Sequence, residues 1–370
     1  MHLLDYINMY EDWEERLTNP PYNLIVKTSY PYKLLKYSQI DSDFSYTEVQ
    51  EARGCIVRKD FDEEWIYVCR PFVKFFNWGE PYAARLDWRE VTVTEKIDGS
   101  LMKLWYDRGK WRLSTNGTID AFEASIDGTD TTYGDLFMDI VGELYPGGMG
   151  RHWNLYPECT YLFELVSPET RVVLSYPKEV YYLTCFDNED GSEIGLTSFM
   201  REEMVKHRVK FPYVYDKTSL DEIVEWAKTC TNLEGVVVRD CKGNRIKVKT
   251  PRYLEMAHSF TKGKIGKLDL LRMTKEETLD DFLGYFPEYG LMAYQVYSEV
   301  NQFIVSLLID WKMYGTLSPR REFALKIKNQ TNAPLLFMMY TNPQIDIEHY
   351  VWHELDYKKL AHMLGYEKEN

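Results

Sequence analysis

No stretch of this 370-residue chain approaches the ~20 consecutive apolar residues that span a bilayer. The opening M-H-L-L-D-Y-I-N-M-Y-E-D has neither a basic n-region nor an apolar h-region, so no secretory leader is expected. Cysteine is sparse. Cys55, Cys69, Cys159, Cys185, Cys230 and Cys241 make no C-x-x-C pair and no zinc spacing, which points to buried free thiols in a reducing compartment. Positive charge is short as well: 44 Lys and Arg against 58 Asp and Glu leave a net charge of -14. That excludes a protein that coats nucleic acid through bulk charge, but not a local basic groove on an acidic body. There is no internal repeat and no low-complexity tract.

What is present reads as a globular chain with length for two domains. From about residue 50 to 255 the sequence is mixed, with branched and aromatic runs of strand length. These are C-I-V-R, W-I-Y-V-C, V-T-V-T-E-K-I, L-M-K-L-W-Y, W-R-L-S-T, Y-L-F-E-L-V, V-Y-Y-L-T-C-F, G-V-V-V-R and R-I-K-V-K. D-R-G-K predicts a hairpin turn, and the capping box Ser219 to Glu222 opens a helix. After about residue 258 the pattern turns helical. Thr274 to Glu277 predicts another capping box, 291 to 314 a long helix, Ser318-Pro319 a helix start and L-D-Y-K-K-L-A-H-M-L a last amphipathic helix, with Asn342-Pro343 marking a loop. Domains are expected at 1–258 and 259–370.

The chemistry gathers around V-T-V-T-E-K-I-D-G-S-L, which sets Lys96 at a strand end beside Glu95 and before Asp98-Gly99. Alone this is weak, since Lys-x-Asp-Gly occurs by chance in on the order of one chain in ten of this length. Other segments change the reading. Upstream lie A-R-G-C (Arg53) and R-P-F-V-K-F-F-N-W (Lys74, Phe76). Glu164 interrupts an apolar strand, and an inward carboxylate is costly unless paired or bound to metal. Glu234-Gly235 precedes a valine triplet, and alternation sets Lys247 and Lys249 about 7 Å apart on one strand face. Like charges side by side call for an anion between them, the mark of a polyphosphate site. A lysine amine can attack the α-phosphate of a nucleoside triphosphate. Free lysine titrates near 10.4, so activation needs neighbouring cations, here a divalent metal and the lysine pair. Carboxylates then serve the metal, its waters or the ribose, and Gly99 lets the backbone approach the nucleotide.

In this order K-I-D-G-S, F-E-L-V, L-E-G-V-V-V and I-K-V-K resemble the motifs of the covalent nucleotidyltransferases: ATP-dependent DNA and RNA ligases and GTP-dependent capping enzymes. A-R-G, R-P-F-V-K-F-F-N and Tyr253 resemble more specifically the RNA ligase 1 family of phages. The resemblance covers roughly residues 50 to 255. It implies an α+β fold, a nucleotidyltransferase domain of ATP-grasp-like mixed antiparallel sheets followed by an all-α C-terminal domain that aids RNA choice. It implies Lys96 as the adenylated nucleophile and Arg53, Lys74, Phe76, Glu95, Gly99, Glu164, Lys247, Lys249 and Tyr253 as cofactor contacts. Glu164 and Glu234 would take the metal, Mg²⁺ or Mn²⁺. ATP would be the cofactor, AMP the covalent intermediate. The partner would be RNA with 5′-phosphate and 3′-hydroxyl ends, a cleaved tRNA anticodon loop among them. A cytoplasmic monomer without membrane contact is expected, in the host cell if the protein is phage-encoded. One departure stands out: the family's best-known member has a lysine where this chain has Asn116, an amide that carries no charge. A DNA ligase, a capping enzyme and a non-enzymatic RNA-binding module remain as alternatives.

Two further features do not join this site. P-G-G-M-G-R (146 to 151) lacks the Gly-Lys-Ser/Thr ending of a P-loop. His349 and His353 stand four apart, but the glutamate follows the second histidine, so they read as helix-surface residues.

Overall fold

Branched and aromatic residues fit a pleated surface, and they build three antiparallel sheets in the N-terminal part of the chain. The computed structural model describes residues 1–126, 129–142, 155–254, 265–276, 278–318 and 320–366. Strands β1 (Leu24–Ser29), β2 (Tyr32–Tyr37), β3 (Arg53–Lys59) and β4 (Trp65–Cys69) form an N-terminal meander. β5 (Val91–Lys96) leaves it. β6 (Ser100–Asp107), β7 (Lys110–Thr115), β8 (Cys159–Val166), β9 (Glu179–Asp187) and β10 (Glu193–Ile194) form a central sheet in the order β10-β9-β8-β6-β7. β11 (Val214–Tyr215), β12 (Gly235–Asp240) and β13 (Arg245–Lys249) join β5 in a third sheet, ordered β11-β5-β12-β13.

The central sheet has a different neighbour on each face. One face carries Met102, Leu104, Leu113 and Phe163 against Phe137 and Ile140 of the helix Tyr133–Val141 and Met200 and Met204 of the helix Ser198–Lys206. On the other, buried Trp105 packs on Tyr32, Leu34, Ile56 and Val68 of the N-terminal meander. That meander's far side is covered by the helices Leu3–Met9 and Trp13–Thr18 through Leu3, Ile7, Trp13 and Leu17. The third sheet rests Val93, Val236, Val238 and Ile246 on Ile223 of the helix Leu220–Ala227. It is tied to the central sheet by Glu193, which accepts from Arg239 Nε at 2.6 Å, from the Arg245 guanidinium and from the Thr184 hydroxyl at 2.6 Å.

Contacts divide the chain into two units, Met1–Phe260 and Thr261–Asn370. The second is helical among its described residues, with no strand. Its longest helix, Gly290–Tyr314, buries Ala293, Val296, Val300, Ile304 and Leu307, the spacing of one helix face. No helix among the described residues is long and apolar enough to cross a membrane.

Several details follow the sequence. Arg108 and Gly109 both take positive φ, 51° and 80°, making the expected tight hairpin between β6 and β7. Ser219 caps its helix by accepting from Glu222 N–H. Other expectations fail. Thr274 does not open a helix: it sits in the last turn of Lys267–Lys275, where its hydroxyl donates to the Leu270 carbonyl at 2.8 Å. Cys241 is exposed and Cys230 half-buried, so burial holds for only four of the thiols; none is bridged. Glu277, Pro319 and the 146–151 loop lie outside the described residues.

Candidate active site

Strand register decides which side chains meet. Lys96 lies opposite Gly235, and Gly235 opposite Lys249; Val237 pairs with Lys247. Cross-strand neighbours share a face, so Lys96, Lys247 and Lys249 point to one side of the third sheet. Arg239 and Arg245 share that side and reach Glu193 of the central sheet. The lysines therefore line the gap between the two sheets. Glu95, opposite Val236, alternates to the other side, and its carboxylate accepts from Tyr213 N–H at 3.4 Å.

Glu234 sits just ahead of β12 and is almost fully buried. Its Oε2 accepts from Lys96 Nζ at 2.9 Å, and its Oε1 lies 3.2 Å from Lys249 Nζ. Glu164 stands on β8 opposite Leu101 and Tyr181. Burial raises its carboxyl from the ordinary value to about 7; Lys96 and Arg53 pull it down, while Glu234 and Asp98 push it further up. Two carboxylates and at least three cations thus act on one another here.

Residues 97–99 carry the chain from β5 in one sheet to β6 in another, so Asp98-Gly99 is a crossover and not a hairpin turn. Asp98 is buried and accepts from the Tyr253 hydroxyl at 2.9 Å and from the N–H groups of Val173 at 3.0 Å and Leu174 at 2.7 Å. Burial first, then Glu234, raises its carboxyl. At Gly99 the backbone packs closely on β8. A Cβ there would come within 2.5 Å of the Leu165 carbonyl oxygen and 2.6 Å of Val166 Cγ1. The space it leaves is filled by β8.

The upstream segment docks along β13. Lys247 N–H donates to the Phe76 carbonyl at 3.0 Å and Trp78 N–H to the Lys247 carbonyl at 2.8 Å, a parallel bridge around Asn77. Phe75 lies between two cations, with Arg53 Cζ 5.6 Å and Lys247 Nζ 5.5 Å from its ring centre. Lys74 Nζ sits among the rings of Phe44, Tyr37 and Phe76 at 4.7, 5.0 and 5.3 Å. Tyr253 is buried with Lys249 Nζ 5.2 Å from its ring centre. Lys74, Phe76, Lys96, Gly99, Glu164, Glu234, Lys247, Lys249 and Tyr253 are thus brought to the two facing sheets and the segments beside them, with Arg53 reaching Glu164 from β3 of the meander. Glu95 stands apart from that face.

Sequence reading missed four residues. Asp98 registered only as the residue before Gly99. Tyr176 and Tyr181 border the carboxylates, and burial leads the rise of both phenols above the ordinary tyrosine value. Lys103 is fully buried on β6, donating to the Gly54 carbonyl. Its only signal was a lysine at an inward position of L-M-K-L-W.

Inside antiparallel sheets, one ammonium, Lys96, thus stands against Glu234 and close enough to act on Glu164, beside the Lys247/Lys249 pair. The chain belongs to the RNA ligase family, whose model matches residues 51–253. It is 30% identical over 339 residues, 87% of this chain and 47% of the relative, to a protein named "Putative bifunctional polynucleotide kinase/RNA ligase" of Autographa californica nuclear polyhedrosis virus. It is 29% identical to the RNA ligase of Rhodothermus phage RM378 over 47% of this chain and 45% of that protein. The chain spans about half the length of these relatives. Among solved structures it is similar to an archaeal ATP-dependent RNA ligase, with TM-score 0.48 and 11% identity over 76% of this chain and 73% of that one.

Proposed function

We propose that this chain is an ATP-dependent RNA ligase that joins 5′-phosphate and 3′-hydroxyl ends through Lys96. The observation that carries this reading is Glu234 held between Lys96 and Lys249. Lys96 Nζ, having lost a proton, attacks the α-phosphorus; the N–P bond forms, the bond to the bridging oxygen breaks and pyrophosphate leaves. The AMP passes to the RNA 5′-phosphate and frees Lys96. A 3′-hydroxyl then attacks that phosphate, and AMP departs.

The residues account for the demands of each step. Glu234 accepts from Lys96 Nζ at 2.9 Å, so it must turn from the amine before the amine can react. Lys247, Lys249 and Arg53 then face the phosphates, where charge-assisted hydrogen bonds stabilise the transferring and departing groups. Phe76 and Tyr253 hold Lys74 and Lys249 in place. Tyr181 on the cleft face offers a ring to the base, and half-exposed Trp78 beside Lys247 offers a stacking face to RNA.

Glu164 and Glu234 would hold Mg²⁺ or Mn²⁺. Among the described residues no three His, Cys, Asp or Glu side chains are grouped to hold an ion alone, but two hard carboxylates plus substrate phosphates meet the needs of magnesium. When bound, such an ion supplies charge neutralisation on the phosphates. Residues 259–370 would serve RNA choice, with a cleaved tRNA anticodon loop as substrate, in a cytoplasmic monomer. DNA ligases and capping enzymes usually end in a β-barrel, whereas the described residues after 264 are helical. The test offers ATP or GTP with a divalent cation and either 5′-phosphorylated single-stranded RNA or nicked DNA. Sealing of RNA with ATP supports the reading; preference for nicked DNA or for GTP overturns it.

A further inference from the structure

β13 is the outermost strand of its sheet. Its ladder hydrogen bonds run to β12 on one side, and on the other the described residues give it only the short bridge around Asn77. Arg245, Lys247 and Lys249 alternate onto its face toward the central sheet, each about 7 Å from the next. An edge strand has no second ladder to fix its distance from a facing sheet, so side-chain anchors set that distance. The two lysines stand at the reaction centre, and Arg245 stands at the other end of the row.

Arg245 is gripped from several directions. Its guanidinium donates to Glu193 on β10 and, through Nη1, to the Gly243 carbonyl at 3.0 Å, while Cζ lies 5.1 Å from the ring centre of Phe72. Glu193 is held in turn, since Arg239 Nε and the Thr184 hydroxyl each donate to it at 2.6 Å. Burial alone would raise the Glu193 carboxyl, but Arg245, Thr184 and Arg239 outweigh it and keep the group below the ordinary value. It is a charged anchor at neutral pH, fixed to the central sheet by Thr184 and by the pairing of β10 with β9. The grip continues toward the lysines. Phe72 packs edge-on against Phe186 of β9 at 5.5 Å and against Phe75 at 5.6 Å, and Phe75 is the ring beside Lys247 Nζ. Glu193, Arg245, Phe72, Phe75 and Lys247 thus form a continuous line of contacts from the central sheet to the lysine pair.

Resting on the adenylation reading above, we propose that Glu193 is a positioning residue for adenylyl transfer: by holding Arg245 it sets how far β13 stands from the central sheet, and so the reach of Lys247 and Lys249. It touches neither nucleotide nor RNA and acts only through the strand. Its effect on rate comes from placement, because a group displaced by about 1 Å from a reacting centre can cost about a hundredfold. A carboxylate one methylene shorter keeps the ion pair but draws Arg245, and β13 with it, out of place.

The test compares the full chain with Glu193→Gln, Arg245→Gln, their double variant and Glu193→Asp. Labelling by α-labelled ATP is followed in a single turnover at saturating ATP, which separates the rate constant from the amplitude, the fraction of active protein. Each glutamine variant should lower the rate constant about tenfold or more while its amplitude stays at the wild-type level. The double variant should be no slower than the worse single one, because the two residues act as a unit. Glu193→Asp retains the charge but withdraws the carboxylate by about 1.5 Å, and should slow labelling about threefold or more. If the glutamine variants do not fold, Glu193→Asp alone decides. A wild-type rate constant in Glu193→Asp overturns the proposal. So does a loss confined to amplitude, which marks a structural role, and so do losses that multiply in the double variant, which mark independent effects. Each of these is read against a wild type that takes label and leaves the adenylation reading standing; a folded wild type that takes none overturns both.

Discussion

Glu234 places one carboxylate between two ammonium groups, and the side chain that anchors Lys249 is also the one that holds Lys96, the proposed nucleophile. Removing its charge leaves Lys249 buried beside a neutral amide. Glu234→Gln should lower stability by about 3–5 kcal/mol in denaturant unfolding, by the cost of breaking a buried pair; an unchanged midpoint would mean the pair contributes nothing. Glu164 makes a different prediction. Burial lifts its carboxyl from the ordinary 4.5 to about 7, so the native state binds this proton more tightly than the unfolded chain does. Its contribution is fully favourable below the ordinary carboxylate range and is lost as pH rises through about 7. Wild-type thermal midpoints should fall across that window, and Glu164→Gln should flatten the fall. A midpoint that rises with pH equally in both proteins contradicts this. At this scale Lys96, Glu164, Glu234 and the lysine pair were legible because charge in an apolar strand is conspicuous. Asp98 was not, because Asp-Gly reads as a turn and only the hydrogen bonds from Val173, Leu174 and Tyr253 reveal its burial.

Among elements, the crossover between β5 and β6 sets the site, since it hands the chain from one sheet to the next immediately after Lys96. Gly99 makes that step possible by close approach to β8. Gly99→Ala should force a backbone shift and lower stability by about 1–3 kcal/mol, read by thermal unfolding; an unperturbed midpoint would show that β8 yields freely. The paired strands β6–β7 and β12–β13 were readable from apolar runs and turn residues. β1 and β2 were not. Lys27 and Lys36 occupy inward positions of L-I-V-K and Y-K-L-L-K-Y, so the polar residues fall where alternation expects apolar ones. The N-terminal helices, Leu3–Met9 and Trp13–Thr18, are too short to show a helical period. The Thr274 error has the same kind of cause: a Thr-x-x-Glu spacing fits a capping box, yet a threonine near a helix end can instead bond back to the preceding turn.

For the whole molecule, the net charge of -14 coexists with buried lysines such as Lys103 and Lys247, which lie among buried carboxylates. The cations proposed to meet phosphate are withdrawn between sheets, where bulk charge does not report them, and that is why composition argued only against non-specific coating. Every residue assigned to the adenylation site lies in the unit Met1–Phe260. A chain ending at residue 260 should therefore still take label from ATP while losing efficient sealing of RNA; loss of labelling in a folded truncation would tie the second unit to the first step. The change from mixed to helical character was visible in the sequence.

The most direct test of the account is labelling with α-labelled ATP and a divalent cation, followed by denaturing electrophoresis. The wild-type chain should carry label whose bond to the protein shows phosphoramidate chemistry, labile to acid and stable to alkali, and pyrophosphate should remove it. Lys96→Ala should carry none. Label that persists in Lys96→Ala, or wild-type protein that stays unlabelled while remaining folded, contradicts the assignment of Lys96 as the nucleophile.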